Sequence, residues 1–100
     1  MKNQTNSLTE FISVIQTRTS MYIGGGTITH LKAFLDGWFY GKEKEIIDSH
    51  LLEDFQEWIQ NKYNIRSTQS WDRIIVFYST DESKALESFF QLFGEFLEQQ

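Results

Sequence analysis

The chain contains no cysteine. Thiol nucleophiles, disulfides and Cys-based zinc sites are therefore excluded, and a secreted domain of this size would lack its usual cross-links. It has no run of about 18 apolar residues, so no segment is expected to span a membrane. Met1 to Ser7 is polar, without the apolar core of a signal peptide, and the cytosol is the expected compartment. Histidine is scarce: His30 and His50 each lack a second His at ligand spacing. Gly24-Gly25-Gly26 is not followed by Gly-Lys-Ser/Thr, and no GxGxxG pattern occurs, so the glycines read as a turn and not a phosphate cradle. No alternating Asp/Asn run with a central Gly offers a calcium loop. No repeat, low-complexity tract or linker divides the chain, and residues 1–100 are expected to form one domain.

What the chain does have is aromatic side chains. Nine Phe, four Tyr and three Trp make 16% of 100 residues. Each removes roughly 150–250 Å² from water when buried, which is enough to anchor a dense core in a short chain. Charge is unevenly spread within a net −5. Residues 1–35 carry three basic side chains against one acidic, and residues 36–100 carry six basic against thirteen acidic. The acidic C-terminal two-thirds argues against direct binding of nucleic acid or an anionic membrane, which need Lys and Arg. It suits a basic protein partner.

The apolar periodicity is helical nearly throughout. Leu8, Phe11, Ile12 and Ile15 predict a helix over 8–17, capped by Ser7 with Glu10 completing a capping box. After Met21-Tyr22-Ile23 and the three glycines, Thr27 or Thr29 caps a second helix over 28–40, carrying Ile28, Leu31, Phe34, Leu35, Trp38 and Phe39. Gly37 inside it predicts close packing of another helix, and Gly41 predicts its stop. Lys42 to Asp48 reads as a loop or a helical turn. Leu51, Leu52, Phe55, Trp58, Ile59 and Tyr63 mark a third helix, capped by Asp48 or Ser49 and ended by Asn64. A polar connector, Arg66 to Ser70, follows. Ile74 to Tyr78 is rich in strand formers, and a short strand over 73–79 is the competing reading. With no second strand to pair with, a short helix capped by Ser70 is favoured. Thr80 or Asp81 caps the last helix, with Leu86, Phe89, Phe90, Phe93, Phe96 and Leu97 as its stripe. The expected fold is all-α, a single compact domain of about five helices.

Chemistry is sparse. His50 has Asp54 at i+4, an orienting geometry that is also an ordinary helix-surface pair. Glu53 and Glu57 are neighbours on one helix face, which reads as a solvated acidic face or a partner-facing patch. Trp38-Phe39-Tyr40 points in three successive directions, so at least one ring must lie near the surface, where Trp and Tyr serve as interface anchors. No catalytic residue, metal site or cofactor is predicted.

Two resemblances emerge. Thr19 to Gly24, after Val14 to Arg18, resembles the segment around Met-Tyr-Ile-Gly in the ATPase domains of type II topoisomerases. It covers about ten residues, and neither the Asn-bearing ATP helix nor the nucleotide glycine motifs follow, so no ATP site is carried over. The second covers most of the chain: Met21-Tyr22-Ile23-Gly24, Leu31 to Trp38, Phe55 to Ile59 with Lys62-Tyr63, Ser70-Trp71, Ile74-Ile75 and a Phe-rich final helix. This order resembles small bacterial immunity proteins of polymorphic-toxin and contact-dependent growth-inhibition systems. These are packing and turn positions, so the resemblance transfers no binding site.

The resemblance implies a protein that neutralises a cognate toxin through the toxin's C-terminal domain. The acidity favours a basic nuclease, such as an RNase, occluded by carboxylates standing in for phosphates. The candidate contact residues are Trp38 and Tyr40 as anchors, with Glu43, Glu45, Asp48, Glu53, Asp54 and Glu57 as the acidic surface. The alternative is a small helical adaptor or regulatory subunit, bound through an apolar groove.

Overall fold

The computed structural model of the protein describes residues 7–18 and 27–100, and of Glu43 the backbone alone. The expectations for Met21-Tyr22-Ile23 and for Gly24 to Gly26 lie outside the described residues. Five α-helices run through the described part: α1 (Leu8–Thr17), α2 (Ile28–Phe39), α3 (Leu51–Lys62), α4 (Trp71–Phe77) and α5 (Glu82–Glu98), with a 3₁₀ turn η1 (Glu43–Glu45) between α2 and α3. No strand occurs among the described residues. The 71–77 segment is helical, as the missing strand partner required. The Cα radius of gyration is 13.3 Å, the value of a folded chain of this length, about 13 Å.

The helix starts follow from the side chains that precede them. Ser7 Oγ accepts from Glu10 N, Thr27 Oγ1 from His30 N, and Asp81 from Lys84 N. Each satisfies one of the backbone donors that a helix leaves unpaired at its first turn. The stops are equally local. Asn64 adopts φ 56, and Ile65 N donates to Gln60 O while Asn64 N donates to Asn61 O. This is the paired closure of a Schellman motif. Gly41 (φ 71) follows Tyr40 (φ −54, ψ 116), and Lys42 N donates to Phe39 O. That is a type II turn, whose third position needs a positive φ that glycine adopts freely.

The helices assemble around aromatic rings. α5 is central: α2, α3 and α4 all pack on it, and α4 also packs on α2 and α3. Its inner face is Ala85, Leu86, Phe89, Leu92, Phe93 and Phe96. Phe55 of α3 is fully buried, with Trp71, Phe89, Phe93 and Phe96 edge-on to its ring and Trp58 stacked on it. Edge-to-face contact sets the positive rim of one ring against the negative face of another. α1 adds a second cluster, with Phe11 stacked on Phe34 and Trp38 of α2. Leu8, Ile12 and Ile15 of α1 fill the core beneath. No polar or charged residue is buried among the described residues.

The connector between α3 and α4 is strapped down by two glutamines one turn apart. Gln56 donates to Gln69 O and accepts from Trp71 N, both at 2.7 Å, and Gln60 donates to Ser67 O at 2.7 Å. The carboxamides thus satisfy backbone groups that no helix pairs. Ser70 stands at the N-cap of α4, but the expected capping bond is not made: its hydroxyl donates to the Asp72 carboxylate, and the Trp71 N–H is satisfied by Gln56 instead.

Two further expectations are corrected. Gly37 makes no close helix contact: a Cβ there would meet nothing within 4 Å. α5 and α4 approach α2 on the side of Ile28, Leu31 and Leu35, and Gly37 lies on the exposed side. The cap of α3 is neither Asp48 nor Ser49; His50 occupies the N-cap without a side-chain bond. Asp48 is turned instead toward α1, as described below.

Replacing Phe55 by Ala is expected to cost about 3–5 kcal/mol in denaturant unfolding, since it empties a fully buried site and removes five ring contacts. Gly37→Ala and Gly94→Ala, both at open positions within helices, are each expected to raise the stability by about 0.5–1 kcal/mol in the same measurement.

Candidate partner-binding surface

The connector from Tyr40 to His50 alternates between core and solvent. The type II turn throws Tyr40 outward, where its side chain is 85% exposed. Past η1, Ile46 is buried in the core and Ile47 is 77% exposed. Ile46 has extended backbone and Ile47 begins the turn that follows, so one side chain plugs the core and the next faces water.

Asp48 then turns inward. Its carboxylate accepts from Leu8 N (2.5 Å), Thr9 N (3.0 Å), Thr9 Oγ1 (2.9 Å) and Ser7 Oγ (3.1 Å). With Ser7 capping Glu10 N, the first three amides of α1 all have partners. Partial burial opposes ionisation of Asp48, but the Thr9 and Leu8 amides and the Thr9 and Ser7 hydroxyls outweigh it. They hold the carboxyl below its ordinary value. The positive end of the α1 dipole has the same sign of effect. Asp48 is thus a long-range cap, and its carboxylate is engaged within the fold.

The other sequence-selected residues divide by helix geometry. Successive residues of α3 are turned by about 100°. Glu53 and Glu57 therefore share a face, and Asp54 lies on the flank that carries Trp58. Glu45, Glu53, Asp54 and Glu57 are exposed, and none joins an ion pair or side-chain hydrogen bond among the described residues. The Glu43 side chain lies outside what is described. Trp38 is half-buried, stacked on Phe11 at 4.2 Å and edge-on to Phe39, so its ring holds α1 to α2. Tyr40 is the open member of the Trp38-Phe39-Tyr40 run.

Glu53 and Leu52 line two adjoining hollows. One, of about 320 Å³, is completed by Phe39, Ser49 and His50. The other, of about 450 Å³, is completed by residues of α2 and by Gln56, Glu57, Ser70 and Trp71. Together they form an open groove between α2 and α3. No hydrogen bond joins His50 to Asp54. His30 is exposed and its ring contacts the Thr27 hydroxyl at 2.6 Å, a local capping arrangement. No group of three or more His, Asp or Glu among the described residues is placed to hold a metal ion. No helix of the described residues is long and apolar enough to cross a membrane.

Sequence reasoning passed over Ile47 and Phe77, the latter 75% exposed at the end of α4 beside Tyr78. An Ile-Ile pair inside a charged connector was the available signal for Ile47. For Phe77 the signal was helical phase, since it lies off the stripe of Trp71, Ile74 and Ile75. Comparison with protein-family models, curated proteins and solved structures returns no significant match to this chain.

Asp48→Ala is expected to cost about 1–2 kcal/mol at neutral pH by removing the long-range cap. The sign with pH follows from the lowered carboxyl. A group more acidic in the folded state contributes fully above its unfolded pKa, about 3.9. It loses that contribution as pH falls through the folded value. The stability gap between the parent and Asp48→Ala is therefore expected to be constant above about pH 5 and to close under stronger acid, as followed by urea unfolding across pH.

Proposed function

We propose that the chain is an immunity protein that binds the C-terminal domain of a cognate bacterial toxin, a basic nuclease, and occludes its active site. One observation carries this reading: Glu45, Glu53, Asp54 and Glu57, exposed and without an ion-pair partner among the described residues, stand in the same stretch of chain as two exposed anchors, Tyr40 and Ile47. A nuclease must present cations to bind phosphates. Carboxylates on an inhibitor meet those cations, steer the encounter and exclude the nucleic acid. Tyr40 and Ile47 supply the desolvated centre that fixes affinity, where aromatic anchors are favoured. Trp38 and Asp48 serve this surface from behind, by holding α1 against α2 and against the connector.

A second reading, a helical adaptor for another protein, draws on Phe77 and Tyr78, an exposed aromatic pair at the C-terminal end of α4. The two differ in salt dependence, since apolar contact is not screened.

Affinity capture from the cells of origin, followed by mass spectrometry and a salt titration, tests the choice. The expected result is a basic nuclease domain released as salt rises. The variant E45K/E53K/D54K/E57K is expected to lose capture and to slow association by about 10- to 1,000-fold. A partner held regardless of salt, and equally well by that variant, would replace the toxin reading with the adaptor reading.

A further inference from the structure

α2 and α3 each pack on α5 and α4, and the groove between them is open to an element from outside. On α2, Lys32, Asp36 and Phe39 follow the groove at i, i+4 and i+7, a length of about 10 Å. On α3, Leu52 and Glu53 begin it and Glu57 continues it one turn later. Its floor is apolar: Phe39 and Leu52 are partly buried and Trp71 is almost fully so.

The two rims differ electrically. On the α2 rim, Lys32 Nζ binds Asp36 Oδ2 at 2.8 Å, and the pair is neutral. On the α3 rim, Glu53 and Glu57 have no cation among the described residues. Their Cβ atoms are about 6 Å apart, the spacing of i and i+4 on any helix. A row of Lys or Arg at i and i+4 on an incoming helix repeats that spacing. The apolar stripe beside such a row would lie on Phe39, Leu52 and Trp71, and its far flank would meet a neutral rim. About two helical turns fill a groove of this length.

We propose that the α2–α3 groove seats a basic amphipathic helix of the partner, with its cationic row on Glu53 and Glu57 and its apolar stripe on the floor. The proposal deepens the toxin reading and rests on it for the identity of that partner. It is argued from charge complementarity together with an apolar floor, and makes α3 the edge that sets the orientation of the helix.

The test uses the full chain and three synthetic helical peptides of about 15 residues. The first has a Leu stripe flanked on one side by Lys at i, i+4. The second has Glu in place of Lys, and the third Ala in place of Leu. Binding is followed by ¹⁵N amide shifts. The Lys peptide is expected to shift Asp36, Leu52, Glu53 and Glu57, and the other two to bind at least about tenfold more weakly. E53Q/E57Q, two exposed positions whose replacement leaves the core intact, is expected to weaken the Lys peptide by a similar factor. Shifts centred on Phe77 and Tyr78, equal binding of the Glu peptide, or a dimer of the chain that covers the groove would overturn the proposal. The two readings fail separately. Toxin capture unchanged in E53Q/E57Q would discard the groove and keep the toxin. The Lys peptide seated in the groove, with no toxin captured, would keep the groove for another basic partner.

Discussion

The ring of Phe55 is the constraint around which the bundle is arranged. It is fully enclosed, and its neighbours come from its own helix, from the first residue of α4 and from three positions along α5. A helix as short as α4 is marginal by itself. It is held because Trp71 must meet Phe55 and Phe89, and because Gln56, one residue beyond Phe55, takes the Trp71 amide. The same stretch of α3 thus supplies both the apolar and the polar contact that begin α4. The length of α5 follows from the same packing, since Phe89, Phe93 and Phe96 occupy successive turns of its inner face.

Polar side chains do their structural work at the junctions between helices, since none is buried among the described residues. Asp48, Gln56, Gln60 and Asp81 each satisfy backbone groups at a helix start or in a connector. Asp48 is the most consequential because it acts across 39–41 residues. It joins the connector before α3 to the start of α1, and the Phe11–Trp38 stack joins α1 to the end of α2. The connector that carries Tyr40 and Ile47 is therefore tied to the fold near both ends. A binding loop held in this way loses less conformational entropy on contact than a free one.

The candidate surface follows from that arrangement. Trp38, Phe39 and Tyr40 are chemically similar neighbours, yet two are drawn into packing and the third is expelled by a turn that needs Gly41. Among the carboxylates, Asp48 is consumed by α1, while Glu45, Glu53, Asp54 and Glu57 stay in water. The separation of Glu53 and Glu57 from Asp54 is a matter of helical phase alone. It assigns the first pair to the groove and the third carboxylate to the flank beside Trp58.

Helical periodicity, Ser7, Thr27, Asp81, Gly41 and Asn64 were enough to read the helices of the described part and most of their ends, because caps and stops act within a few residues. The all-α class was legible from pattern as well: no second run in the sequence offered the strand-forming segment at Ile74 to Tyr78 a convincing partner, and no strand occurs among the described residues. The role of Asp48 was not legible. A carboxylate just before a helix reads as its cap, and only the folded chain brings the unpaired amides of α1 within reach. Gly37 misled in the same way, since a helical glycine signals close approach only if a neighbour lies on that side. Composition and local pattern, governed by short-range backbone physics, determined the helices and the acidic character of the chain. Which ring is left in water, which carboxylate stays free and where a groove opens were decided by tertiary packing, because burial is a property of contacts between residues far apart in sequence.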